Sequence, residues 1–150
     1  GMRIQTRPFG EIDVDERQLI SFPHGIFGFE HHRSYALLDS PQQPFYWLQS
    51  LDESEIAFVL INPYVFRPDY VLQVPDQDIE ELEVEAENDV LVFAVVTIPE
   101  NPNEMTANLQ GPIIINRRRK IGRQSISLDQ RWGTKHRILE ELAVARGERC

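Results

Sequence analysis

The run Val90-Leu91-Val92-Phe93-Ala94-Val95-Val96-Thr97-Ile98 decides the fold class of this chain. Four of its nine residues are valine, and none is charged. β-Branched side chains lose rotamer freedom against a helix turn but pack well on a pleated surface. The run is continuously apolar rather than alternating, so it reads as a strand buried on both faces.

Outward from this run, apolar residues recur in short β-rich stretches rather than at helical spacing. Before it, strands are expected at 4–6, 11–14, 18–22, 35–38, 45–50, 56–61 and 70–74; after it, at 106–109, 112–116 and 124–128. Turn formers separate them, among them Pro8-Phe9-Gly10, Asp39-Ser40-Pro41, Asp52-Glu53-Ser54 and Asn62-Pro63. Residues 75–82, with Asp76 and Asp78 suited to a first turn, predict one short helix. Ile138, Leu139, Leu142 and Ala145 share a face of a second. A hairpin pairs Ile115 with the 124–128 stretch across the connection 117–122. The expected fold is mainly β: a small antiparallel β-barrel-like domain of about ten short strands with one or two short helices, a single sandwich being the alternative. It occupies residues 2–137 as one domain, and 138–150 form a short helical or flexible tail.

The charge of this 150-residue chain is −9, unevenly spread. Residues 1–110 carry a net −15 and residues 111–150 a net +6. An acidic body repels nucleic-acid phosphates and attracts basic partners, so direct nucleic-acid binding is not expected. The acidity peaks over 76–89, where eight carboxylates stand without a basic residue. That run is either a solvated helix and loop or a docking surface for a basic protein. Arg117, Arg118, Arg119, Lys120 and Arg123 form the opposite patch, at a hairpin tip that either discourages edge-to-edge pairing or contacts RNA. It lacks the interleaved aromatic residues that stack on bases.

Catalytic chemistry finds little support. No serine sits in a Gly-x-Ser-x-Gly elbow and no glycine-rich loop precedes a Lys-Ser or Lys-Thr pair. Adjacent His31 and His32 would point to opposite faces of a strand and have no cysteine nearby, so they read as a loop pair rather than metal ligands. No enzyme activity, cofactor or metal is expected. Cys150 is the only cysteine and the last residue, which excludes an intrachain disulfide and suits a reducing, cytoplasmic setting. No apolar run approaches the ~20 residues a membrane-spanning helix needs, the opening Met2-Arg3-Ile4-Gln5-Thr6-Arg7 is no secretory signal, and nothing demands more than a monomer. Within Gly25-Ile26-Phe27-Gly28-Phe29, the three apolar side chains either plug one end of the barrel or form an exposed contact patch.

Several stretches, in order, resemble the bacterial flagellar assembly factor FliW family. They are Phe22-Pro23-His24-Gly25-Ile26-Phe27-Gly28-Phe29-Glu30, Phe45-Tyr46-Trp47-Leu48-Gln49-Ser50, Asn62-Pro63 and Val96-Thr97-Ile98-Pro99. The last is continued by Met105-Thr106-Ala107-Asn108-Leu109-Gln110-Gly111-Pro112-Ile113-Ile114-Ile115-Asn116. Trp132 stands where the family pattern has Tyr, and Arg137 where Pro commonly follows the His. The resemblance implies a β-barrel-like, non-enzymatic regulator that binds flagellin in the cytoplasm. It also implies sequestration of the translational repressor CsrA, which relieves repression of flagellin translation. On that reading Glu80, Glu81, Glu83 and Glu85 are candidates for meeting the basic repressor, and Ile26, Phe27 and Phe29 for meeting flagellin. An RNA-binding barrel acting through the basic hairpin is the runner-up, and a small hydrolase using a histidine the third reading.

Overall fold

The structure is a computed structural model and describes residues 1–147, so Cys150 lies outside the described residues. Among the described residues ten strands and two α-helices follow one another. They are β1 (Met2–Thr6), β2 (Gly10–Val14), β3 (Leu19–Ser21), β4 (Ser34–Asp39), β5 (Phe45–Ser50), β6 (Ala57–Ile61), α1 (Asp76–Glu81), β7 (Val90–Thr97), β8 (Thr106–Asn116), β9 (Ile121–Gln124), β10 (His136–Arg137) and α2 (Ile138–Ala145).

Strands β3 to β9 close into a seven-stranded barrel, because β9 pairs with both β8 and β3. Every neighbour pair is antiparallel except β3–β9, which is parallel and joined at Ser21 and Ile121. Closure removes the free edges that an open sheet would expose. The β1–β2 hairpin stands outside the barrel and packs Ile4 and Val14 on Ala36 and Leu38 of β4. Gln49, wholly buried, accepts the Arg7 N–H and donates to the Ser54 and Ile56 carbonyls, so it ties this hairpin to the β5–β6 turn. The motif around Phe45 is thus largely architecture.

Strand β7 packs on both faces, with Phe93, Ala94 and Val96 buried and Leu91, Val92 and Val95 partly buried. Leu91, Phe93 and Val95 belong to a core with Phe22, Tyr35, Leu48 and Leu60. Val92, Ala94 and Val96 belong to a second core with Phe66, Tyr70, Leu109 and Trp132. Each full burial of such a side chain stabilises the fold by roughly 1.5–3 kcal/mol.

Three local expectations change. The stretches 106–109 and 112–116 form one strand, β8, whose register against β7 slips between Phe93 and Val95. Gly111 sits at the slip, where an added Cβ would lie 2.9 Å from the Gln124 side chain. The partner of β8 is Ile121–Gln124, not 124–128, so Ile115 faces Gly122. The Asn116 carboxamide oxygen accepts the Arg118 and Arg119 N–H groups, and Lys120 adopts φ 59°, which closes the turn within four residues. Residues 70–74 lie outside the sheet; among the described residues their backbone meets 124–128 where Leu128 N–H donates to the Gln73 carbonyl. Side-chain alternation marks an extended backbone, but only a partner's backbone makes it a sheet strand.

In α2, Ile138 is buried and Leu142 packs on the second core, while Leu139 stays exposed. Glu141 fastens this helix by bonds to Arg67, 2.8 Å away, and to His136 Nδ1 at 3.0 Å. The Gly133 N–H donates to His136 Nε2, so the ring proton sits on Nδ1, facing Glu141. Arg67 and Arg131 both lie over the buried Trp132 ring, at 4.7 and 4.2 Å. Asp69 holds the Arg67 guanidinium above its ordinary pKa, against the pull of burial, with Glu141 adding to the effect.

Candidate partner-binding surfaces

The glycine-bracketed loop divides its apolar residues between inside and outside. Gly25 and Gly28 have φ +68° and +87°, and a Cβ on Gly25 would lie 2.6 Å from the Glu30 backbone. Only glycine takes that conformation there without strain. The reversal it permits is closed by Phe29 N–H donating to the Ile26 carbonyl at 2.7 Å. The Gln124 side chain pins it by accepting the Phe27 N–H at 2.9 Å. Ile26 turns inward and is 3% exposed, part of the barrel core. Phe27 and Phe29 turn outward, 47% and 39% exposed. The Phe29 ring leans edge-on against Phe58, 5.1 Å between centroids, and Phe58 is backed by Tyr35. Ile26 therefore leaves the set of surface candidates: it is the anchor that holds two aromatic rings toward solvent.

The acidic run and the basic hairpin, expected as opposite patches, meet. Asn116 Nδ2 donates to the Leu82 and Glu83 carbonyls and holds the run against the β8–β9 turn. Arg118 bonds Glu85 at 2.8 Å and approaches Asp89 at 3.6 Å. Arg119 lies 3.6 Å from Glu83, and Arg123 contacts Asp78 and Glu81. His24 also reaches Glu81, at 3.1 Å. The Asp89 carboxyl stays below its usual range: burial pushes it up, but the Ala86 N–H and the Arg118 guanidinium outweigh that. Among the described residues Asp76, Glu80 and Glu87 have no counter-ion within 4.0 Å, and neither have Arg117 and Lys120. The result is one mixed-charge ridge with free carboxylates at its margins.

His31 and His32 lie in a turn, and no group of three metal-ligating side chains occurs among the described residues. No helix of the described residues is long and apolar enough to cross a membrane.

One feature escaped the sequence reading. Strand β6 ends at Ile61, where Asn62 caps a short turn through Pro63–Val65, while β7 runs four residues further. A groove of about 800 Å³ opens beside that overhang, between β7 and residues 70–72. The signal was present in the mismatch between a six-residue run stopped by Asn62-Pro63 and its nine-residue neighbour.

The candidate contact surfaces of this closed β-barrel are thus an aromatic turn, a mixed-charge ridge and a strand-edge groove. The family described as FliW protein matches residues 3–138. The flagellar assembly factor FliW of Treponema denticola is 46% identical over 96% of this chain and 98% of its own length. That of Treponema pallidum is 43% identical over 99% of this chain and all of its own. A crystal structure of the flagellar assembly factor FliW superposes with a TM-score of 0.85 at 34% identity, over 91% of this chain and 96% of the other. The chain belongs to the FliW family of flagellar assembly factors, which is not an enzyme family.

Proposed function

We propose that this protein works in the cytoplasm by holding flagellin and, when flagellin is scarce, by sequestering the translational repressor CsrA, so that flagellin translation resumes. Membership of the FliW family supports the frame of this reading. The observation that carries the flagellin half is the pair Phe27 and Phe29, held outward by a turn that folding gains nothing by exposing. Flagellin's terminal amphipathic helices carry the apolar stripe that such rings accept. For the repressor half, the support is the surplus of carboxylates at the ridge. An RNA-binding repressor is basic where it meets phosphates, and Glu80, with its neighbours Glu81, Glu83 and Glu85, would steer it.

The test is titration calorimetry of the full chain with purified flagellin and purified CsrA, alone and in competition. Binding of both, with flagellin lowering the apparent affinity for CsrA, is the expected result. Binding of neither would end the proposal. The RNA reading loses ground, because three of the five cations in the hairpin already contact carboxylates.

A further inference from the structure

The open side of β7 is an unfinished lane of the barrel. The β6–β7 ladder consists of Val59 with Val96, Leu60 with Val95 and Ile61 with Ala94, and it stops there. Residues 90–93 are paired with β8 alone. The direction of their backbone groups follows from alternation along a strand. The Asp89 carbonyl accepts the Arg117 N–H on the β8 side, so Leu91 and Phe93 also face β8 while Val90 and Val92 face the open side. The Val90 N–H closes onto the Glu87 carbonyl. That leaves the Val90 carbonyl and both backbone groups of Val92 without a partner among the described residues. In a sheet, such a row is a template for another strand.

The groove beside this row has walls suited to one kind of strand. Tyr46, Tyr64, Tyr70 and Val71 line it, and Tyr64 and Val71 are exposed. Among the described residues its charged lining residues are Glu85 and Glu87, and no basic one lines it. Glu87 is exposed and has no counter-ion among the described residues. An acidic second strand would be repelled there, and a basic one attracted.

We propose that this groove takes an extended basic peptide segment by β-strand addition, pairing it with β7 where β6 has turned away. Main-chain bonds to Val90 and Val92 supply the docking, the tyrosine-lined wall takes alternate apolar side chains, and Glu87, which no cation of the described residues meets, takes a Lys or Arg. Four residues at ~3.3 Å each give a footprint of about 13 Å. The inference is independent of the flagellin and CsrA reading, since it rests on the sheet edge and not on Phe27 or Phe29.

The probe is a fluorescent, end-blocked peptide of alternating valine and lysine, about seven residues long, and its control has glutamate for lysine. Anisotropy with the full chain should show binding of the lysine peptide that is about tenfold tighter than that of the control. Val92→Pro removes the outward N–H, a change tolerated where a strand faces no partner, so the variant should fold and bind about tenfold more weakly. Glu87→Lys should weaken binding about fivefold at low salt with an unchanged melting temperature. If Val92→Pro fails to fold, hydrogen exchange of the Val92 amide in the unaltered protein decides: slowing on peptide addition supports the proposal, and no change overturns it. Equal binding of the glutamate peptide overturns it, as does equal binding by a folded Val92→Pro variant. So would protection of the Val92 amide by self-association without peptide, which would assign the lane to a second copy of the chain.

Discussion

The aromatic turn at 25–29 and the acidic run at 76–89 are the two stretches most conspicuous as candidate contact surfaces, and folding treats them oppositely. The turn spends its glycines and one buried side chain on keeping two rings uncovered. The run, by contrast, lies against Arg118, Arg119 and Arg123, so much of its charge is met within the chain. The exposed pairs made by Arg118 with Glu85 and by Arg119 with Glu83 are worth about 0–1 kcal/mol each. What distinguishes a contact surface is not how extreme its composition is but how much of it folding leaves unmet.

The sharpest way to break this comparison lies in two neighbouring residues. Ile26→Ala opens a cavity in the barrel core and should destabilise the protein by about 2–4 kcal/mol in chemical denaturation. Phe27→Asp should shift stability by no more than about 0.5 kcal/mol, as exposed substitutions do, and yet abolish flagellin capture in calorimetry. If Phe27→Asp unfolds the domain, the turn is core throughout and the contrast disappears. A smaller loss tests the packing behind the turn. A Cβ at Gly122 would lie 2.6 Å from the buried Phe22 ring, so Gly122→Ala should destabilise the fold by about 1–3 kcal/mol.

The ridge offers the subtler test. Reversing Glu81, Glu83 or Glu85 also breaks contacts to His24, Arg119 or Arg118, so a change in affinity would mix two causes. Glu80→Lys avoids this, because Glu80 has no counter-ion among the described residues. It should leave the melting temperature unchanged and slow association with CsrA, by a factor that shrinks as salt rises. An unchanged association rate at low salt would remove the acidic run from the proposal.

Much of this architecture was legible in the sequence, for reasons that particular residues make plain. The valines of β7, the turn at Pro8-Phe9-Gly10 and the stop at Asn62-Pro63 act locally, and local chemistry is what a sequence displays. Whether 70–74 joined a sheet depended on a neighbour's backbone, which no propensity encodes. The ridge was misread for a related cause: 76–89 and 117–123 look like separate blocks along the chain, and only Asn116 reaching back to Leu82 and Glu83 brings them together. Likewise Ile26, Phe27 and Phe29 are equivalent in composition, and positive φ at Gly25 and Gly28 sets which of them faces inward.

The smallest expected effect concerns pH and the structural carboxylate of the ridge, Asp89. Asp89 is held below its ordinary pKa once the Ala86 N–H and Arg118 overcome the effect of burial, and Asp69 is held below by Arg67. A carboxyl depressed in the folded state contributes stability above its unfolded pKa of about 3.9 and loses it as pH falls through the lower folded value. Stability should therefore be insensitive to these groups near neutrality and decline below about pH 4. Asp89→Asn removes one titrating partner, so its denaturation midpoint should start lower at pH 7 and fall less steeply in acid than that of the parent. Parallel acid profiles for the parent and Asp89→Asn would mean that the Ala86 N–H and Arg118 do not favour the ionised Asp89 carboxylate in the folded state.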